Sequence, residues 1–193
     1  MIVQRCLKGV HGIDDTQAVS MLLGNGILCN WWRRAQRISP DEIRQKLTAA
    51  AIDLHVNNYD AVIDDTPFIS LTSGCVSRDQ YLRSNTVLPA RNTAVEFATD
   101  GGLSEGYIFY CWLLVGLNPA PEVEGVAEEV RELNAYRNYS AYQTEGEVTA
   151  KVIVPANQIE GFEKVDVRGG RINWIANPGF TPPSRVTNFR DLV

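Results

Sequence analysis

From Tyr107 to Val115 the chain runs Tyr-Ile-Phe-Tyr-Cys-Trp-Leu-Leu-Val, nine consecutive residues without a polar face. A membrane span needs ~20 apolar residues, so this run is too short to be one. It is also too uniformly apolar for a strand with one side in water, and it reads as a strand buried on both faces. Asp100-Gly101-Gly102 precedes it and Pro119 and Pro121 break it. The rest of the chain must supply the layers that cover it.

Those layers are legible on either side. Ile2 to Leu7 reads as a short strand carrying Arg5, and Thr16 to Leu23 as a helix stopped by Gly24-Asn25-Gly26. Ser39-Pro40-Asp41-Glu42 combines a capping serine, a proline at the first helical position and a capping-box glutamate. Ile43, Leu47, Ala50, Ala51 and Leu54 then recur at helical spacing, predicting one helix with a packed face. Phe68-Ile69-Ser70-Leu71-Thr72 predicts a strand with Ser70 and Thr72 on one face. Asn92 to Ala98 predicts a short helix turning Ala94, Val95 and Ala98 inward, Val123 to Leu133 an exposed helix, and Val148 to Val154 a strand. The tail carries a strand pair around Gly169-Gly170. No repeat, low-complexity stretch or linker divides the chain, and 193 residues is the usual size of one domain.

A 45% hydrophobic and 21% charged composition is that of a globular chain, and a net charge of −5 provides no general basic field for nucleic acid or anionic lipid. One local cluster, Trp31-Trp32-Arg33-Arg34 with Arg37 beyond it, has two readings: a stacking platform for single-stranded nucleic acid, or the start of an amphipathic helix with its tryptophans in the core. Cys6, Cys29, Cys75 and Cys111 form no CxxC pair, and only His11 and His55 are available as imidazole ligands, so no metal site is expected. Both histidines read as incidental, and Cys6 and Cys111 as buried thiols acting as small hydrophobes. The first residues lack the apolar core and small-residue cleavage site of a signal peptide, which leads us to expect a cytoplasmic protein or one exported by another route.

Glu145-Gly146-Glu147 leads into the strand at Val148. Residues two apart entering a strand share a face, so two carboxylates would lie about 6 to 7 Å apart. Alone, such a pair is as well read as a solvated sheet rim.

The order of these features carries more than any one of them. A first strand with an arginine, a strand ending Ser70-Leu71-Thr72, a helix Thr93-Ala94-Val95-Glu96-Phe97-Ala98, a strand from Gly106-Tyr107-Ile108-Phe109, and a loop entering Glu145-Gly146-Glu147-Val148-Thr149 with Val154-Pro155 and Ile159 downstream resemble the Arg-Ser-Glu class of mono-ADP-ribosyltransferases. Leu71 departs from that family's Ser-Thr-Ser strand at its middle position. The resemblance spans roughly residues 2 to 165. It implies an α+β fold with a split mixed β-sheet core and flanking helices, a single catalytic domain over 1–193, and NAD as co-substrate without a metal.

By the same resemblance Glu147 is the catalytic carboxylate, stabilising positive charge on the ribose as nicotinamide leaves. Ser70 orients Glu147 and lines the nicotinamide pocket, Thr72 supports that strand, and Arg5 binds the NAD diphosphate or adjoining ribose. Glu145 would align or deprotonate the acceptor. Tyr139 and Tyr142, on the loop before it, either contact the acceptor or pack that loop onto the domain. Arg5 has a plainer reading as a surface strand cation, and Ser70 and Thr72 as ordinary strand hydroxyls. The implied acceptor is a protein, with nucleic acid as the second class. Many small bacterial members are toxins or effectors, which is compatible with an antitoxin or immunity protein as partner. An NAD glycohydrolase and a non-catalytic binding module are the rival readings on the same scaffold.

Overall fold

The computed structural model describes residues 2–35, 39–73, 75–77, 86–88, 90–116, 127–129 and 147–183. Its centre is the apolar run recognised above, strand β6 (Gly106–Gly116), which pairs antiparallel with β1 (Ile2–His11) from Ile2↔Val115 to His11↔Gly106. The other edge of β6 is divided. β10 (Ile159–Val165) takes its first half, from Val165↔Gly106 to Ile159↔Cys111, and β7 (Ala127–Glu129) runs parallel to its end at Val115↔Ala127. β7 pairs with β8 (Glu147–Lys151), β8 with β3 (Phe68–Thr72), and β3 returns to β1 at Leu7↔Thr72. The seven-stranded sheet thus splits where β10 and β7 part, and β11 (Arg171–Ala176) extends it beyond β10.

Two small ladders lie outside it: β2 (Ile27–Leu28) with β9 (Ile153–Val154), and β4 (Cys75–Ser77) with β5 (Thr86–Leu88). Helix α6 (Ala90–Ala98) lies directly on the β1–β6 backbone because glycines stand beneath it. A Cβ on Gly9 would come within 2.2 Å of Ala94 O, and one on Gly106 within 1.7 Å of Ala98 O. Ala94 and Ala98 are buried there against Ile108 and Val165. The opposite face of the ladder carries the larger core, in which Cys6, Phe109, Cys111, Leu113 and Val115 meet Phe162. Helix α1 (Asp15–Leu23), capped by Asp14 in a box with Gln17, buries Ala18 and Leu22 in that core.

Several expectations hold and several do not. The capping box at Ser39 and Glu42 is present, but the single helix expected beyond it is two, α3 (Pro40–Lys46) and α4 (Ala49–Asn57). Thr48 divides them, its hydroxyl accepting from Ala51 N at 3.1 Å. The packed face of α4 is then Ile52, His55 and Val56, while Leu54 is 43% exposed. The strand expected over 148–154 is likewise broken. Val152 adopts φ 64 between β8 and β9, held by Val152 N to Pro67 O at 2.6 Å and Cys29 N to Val152 O at 2.8 Å.

Within the expected helix Val123 to Leu133, backbone 127–129 is strand β7, where open edges on β6 and β8 override a helical apolar period. The strand pair around Gly169-Gly170 is the β10–β11 hairpin. Trp31, in α2 (Asn30–Arg34), is buried and Trp32 packs half-buried on the core, as in the amphipathic-helix reading. Among the described residues no helix is long and apolar enough to cross a membrane.

The hairpin is tied to α6 by Glu163, whose side chain is fully buried. Arg91 Nε donates to it at 2.8 Å, Tyr110 Oη at 2.9 Å, and Arg171 Nε closes the other oxygen. Burial pushes the carboxyl pKa up, but hydrogen bonds from Arg171, Arg91 and Tyr110 outweigh it and hold it below the usual range.

Because Gly106 faces helix backbone rather than a movable side chain, Gly106→Ala is expected to destabilise the fold by about 1–3 kcal/mol or more, read from the urea midpoint. A midpoint equal to the parent's would refute this account of how α6 is seated.

Candidate active site

The site begins with a strand register. β3 and β8 pair so that Ser70 faces Thr149 and Thr72 faces Glu147. Since side chains alternate, these four share one face of the β3–β8 pair. Glu147 is only 6% exposed, and Thr149 Oγ1 donates to its Oε1 at 3.4 Å. Sequence reasoning assigned the orientation of Glu147 to Ser70. Thr149 supplies a hydroxyl contact to the carboxylate that sequence reasoning did not name.

Ser70 is instead held by His55. The ring comes from the buried face of α4, lying 5.6 Å from Phe68 and 5.4 Å, edge-on, from Tyr59 of α5 (Tyr59–Val62). His55 Nε2 is 2.9 Å from Ser70 Oγ and Nδ1 is 2.8 Å from Thr66 Oγ1. Thr66 Oγ1 already accepts from Phe68 N at 3.2 Å, and its own O–H is buried with His55 Nδ1 as partner. The arrangement that satisfies both has Thr66 donating to Nδ1 and Nε2–H donating to Ser70. That leaves the Ser70 proton to be donated into the site. Burial, and secondarily the charge of Lys8, lower the His55 pKa to about 3, so the ring is neutral at pH 7.

The strand-one cations are placed differently from expectation. Arg5 lies an odd number of positions from Lys8 and so points to the other face of β1, where its side chain, 79% exposed, reaches Glu160 at 3.9 Å. The structure does not bring Arg5 together with Ser70, Thr72 or Glu147. Lys8, half-buried on the same face as Cys6 and Val10, is the first-strand cation in electrostatic reach of Glu147. Desolvation lowers its pKa; Glu147 opposes that shift, while Arg33 of α2 adds to it. Glu145, Tyr139 and Tyr142 lie outside the described residues.

His55, Lys8, Arg33, Thr66 and Thr149 were not singled out as site residues from sequence. For His55 a signal existed, since it sits at the third and minus-first positions from Ile52 and Val56 on the buried stripe of α4. Nothing in the sequence pairs it with Ser70 across the intervening turn. No group of His, Cys, Asp and Glu among the described residues could hold a metal ion. The arrangement, a nearly buried carboxylate beside a row of hydroxyls, is suited to stabilising positive charge on a bound sugar.

No family model and no curated protein matches the chain. Among solved structures it is similar to the catalytic domain of the mosquitocidal toxin from Bacillus sphaericus, with TM-score 0.53 and 13% identity over 98% of this chain and 60% of that one. It thus spans 60% of the length of that toxin domain. Looser likenesses include the scabin toxin from Streptomyces scabies, at TM-score 0.48 and 12% identity over 94% of this chain and 80% of that one. The same toxin in complex with NADH matches at TM-score 0.45 and 12% identity, again over 94% of this chain and 80% of that one. The fold is therefore of the ADP-ribosyltransferase type found in such toxins, a mixed sheet core flanked by helices.

Because His55 titrates lower in the folded state than its ordinary 6.5, the unfolded chain binds the extra proton and stability is lost as pH falls from about 6.5 toward 3. Between pH 7 and pH 4 the parent should lose about 3 kcal/mol more than His55→Gln, by urea denaturation at each pH. Parallel losses in the two proteins would show that the ring is not buried neutral.

Proposed function

We propose that this chain is an NAD-dependent mono-ADP-ribosyltransferase that cleaves the bond between nicotinamide and ribose and passes ADP-ribose to a macromolecular acceptor. The observation that carries this reading is Glu147, a nearly buried carboxylate set by register beside Thr72 and diagonal to Ser70. Its surroundings suit a charge that develops only as the glycosidic bond breaks, which is where a preorganised carboxylate lowers a barrier most. The fold shared with the toxin domain supports the same enzyme class.

In this reading Glu147 holds a ribose hydroxyl and faces the developing cation. Thr149 keeps the carboxylate oriented, and Ser70, backed by His55 and Thr66, donates a hydrogen bond toward the nicotinamide end. Thr72 completes the wall. We assign the cation role expected of Arg5 to Lys8, because Lys8 lies in the electrostatic field of Glu147 and His55 whereas Arg5 is drawn to Glu160. The finer placement in the Arg-Ser-Glu class then rests on Ser70 and Glu147, with lysine in place of the arginine. Glu145 is proposed to align the acceptor nucleophile, and Tyr139 and Tyr142 to contact the acceptor. We further propose that residues 1–193 form one catalytic domain, that the acceptor is a protein rather than nucleic acid, and that the biological role is that of a bacterial toxin or effector countered by an antitoxin or immunity protein.

Nicotinamide released from NAD by the purified chain tests the chemistry, beside Glu147→Gln with circular dichroism as the check on folding. The parent should release it, and the folded variant should be slower by roughly 100-fold or more. A folded parent that releases none, with cell lysate supplied as acceptor, would sink the transferase reading.

A further inference from the structure

The hydrogen bond between His55 and Ser70 has a direction, and the residue that sets it, Thr66, lies outside the site. Thr66 is buried and its backbone is held on both sides: its N donates to Val62 O at 2.8 Å and its O accepts from Trp31 N at 3.3 Å. Pro67 follows and has no N–H to offer. The Thr66 hydroxyl therefore takes the next amide, Phe68 N, which donates to Oγ1 at 3.2 Å in a turn spanning two residues. Pro67 O accepts from Val152 N at 2.6 Å, which ties this corner to the kink between β8 and β9.

A backbone N–H can only donate, so the chain of hydrogen bonds has a fixed origin. With Phe68 N on Oγ1, the Thr66 hydroxyl still has its own proton to place, and His55 Nδ1, 2.8 Å away, receives it. The other tautomer would bring a second donor to Oγ1 and bury that proton without an acceptor, a penalty that favours the Nε2–H form by about 10-fold or more. Turning the ring over would exchange both nitrogens for carbons, and Tyr59 and Phe68 pack against it at 5.4 and 5.6 Å. Four donors then run one way: Phe68 N–H to Thr66, Thr66 O–H to His55, His55 Nε2–H to Ser70, and Ser70 O–H into the site. The same polarity denies Ser70 a base. Nε2 already carries a proton and takes none from the hydroxyl, so Ser70 is not an activated nucleophile.

We propose that Thr66 is a positioning residue that acts through the tautomer of His55 to fix Ser70 as an obligate hydrogen-bond donor, so that the ligand atom meeting Ser70 must be an acceptor. The direction of the chain stands on the fold alone. Its effect on turnover rests on the transferase reading and adds to it a residue that touches no substrate.

Nitrogen-15 spectra at pH 7, where the ring is neutral, read the tautomer directly, because a protonated ring nitrogen and a bare one resonate far apart. The only other histidine is His11, and His55→Gln tells the two sets of signals apart. His55 should be protonated on Nε2 and bare on Nδ1 in the parent and in Thr66→Ser; a parent protonated on Nδ1 overturns the proposal. Nicotinamide release from NAD is then measured for Thr66→Val, Thr66→Ser, Ser70→Ala and the double variant. Thr66→Val should lower kcat/KM about 10-fold and Thr66→Ser less than about threefold, while in the Ser70→Ala background Thr66→Val should cost less than about twofold. Equal losses with and without the Ser70 hydroxyl would make Thr66 a structural residue only and overturn the proposal, as would a Thr66→Ser variant as impaired as Thr66→Val. If Thr66→Val does not fold, the tautomer of the parent and the rate of Thr66→Ser still decide it. A parent with the Nε2–H ring that never releases nicotinamide would uphold Ser70 as a fixed donor and sink the transferase reading. Release by a parent with the Nδ1–H ring would do the reverse.

Discussion

The antiparallel ladder between β1 and β6 is the constraint from which the rest of the structure follows. It runs from Ile2↔Val115 to His11↔Gly106 and is covered on both faces, by α6 on one and by the main core on the other. β1 spends one edge on this ladder and receives β3 on the other, at Leu7↔Thr72. Because β6 spends one edge on β1, its other edge must serve both β10 and β7. The sheet divides at that point. The division carries β3 and β8, with Ser70, Thr72 and Glu147, away from the hairpin while keeping them joined to Lys8 through β1.

The electrostatics of the site follow from where water is excluded. Glu147 is almost buried yet keeps a hydroxyl partner in Thr149 and a cation in its field. His55 is buried enough to be neutral, so its ring serves as a hydrogen-bond bridge from Thr66 to Ser70. Neutrality matters, because a charged ring there would add a third cation beside Lys8 and Arg33. Glu163, on the helix-covered face of the ladder, is the opposite case: a buried carboxylate kept ionised by two arginines and a tyrosine, uniting α6 with the β10–β11 hairpin. The two carboxylates are thus distinguished by their partners, one saturated by fixed cations and the other held by a hydroxyl with a lysine in its field.

Local chemistry was legible wherever one segment decides its own state. The apolar run of β6, the capping box at Ser39 and Glu42, the alternation that joins Ser70 to Thr72, and the turns at Gly101-Gly102 and Gly169-Gly170 all came from short-range rules. Reading failed where a distant edge or a single backbone angle intervened. Thr48 capped a new helix inside an apparently continuous period, Val152 entered the left-handed region inside an apparent strand, and residues 127–129 were recruited by open strands elsewhere in the chain. Arg5 shows a related limit: residue type nominates a first-strand cation, but only the folded chain shows that Arg5 reaches Glu160 while Lys8 lies in the electrostatic field of Glu147.

What the sequence alone determined, then, was the elements that short-range rules specify and the place of Glu147, at the entry of a strand behind a Ser-X-Thr strand. Alternation and capping act over a few residues and need no knowledge of the fold. The tertiary structure decided that the Thr149 hydroxyl contacts that carboxylate, that Lys8 lies in its field, and that a histidine from a separate helix sets the Ser70 hydroxyl. Those are contacts between segments far apart in the chain, fixed by strand register and by which edge of β6 each strand occupies, and no local pattern encodes them.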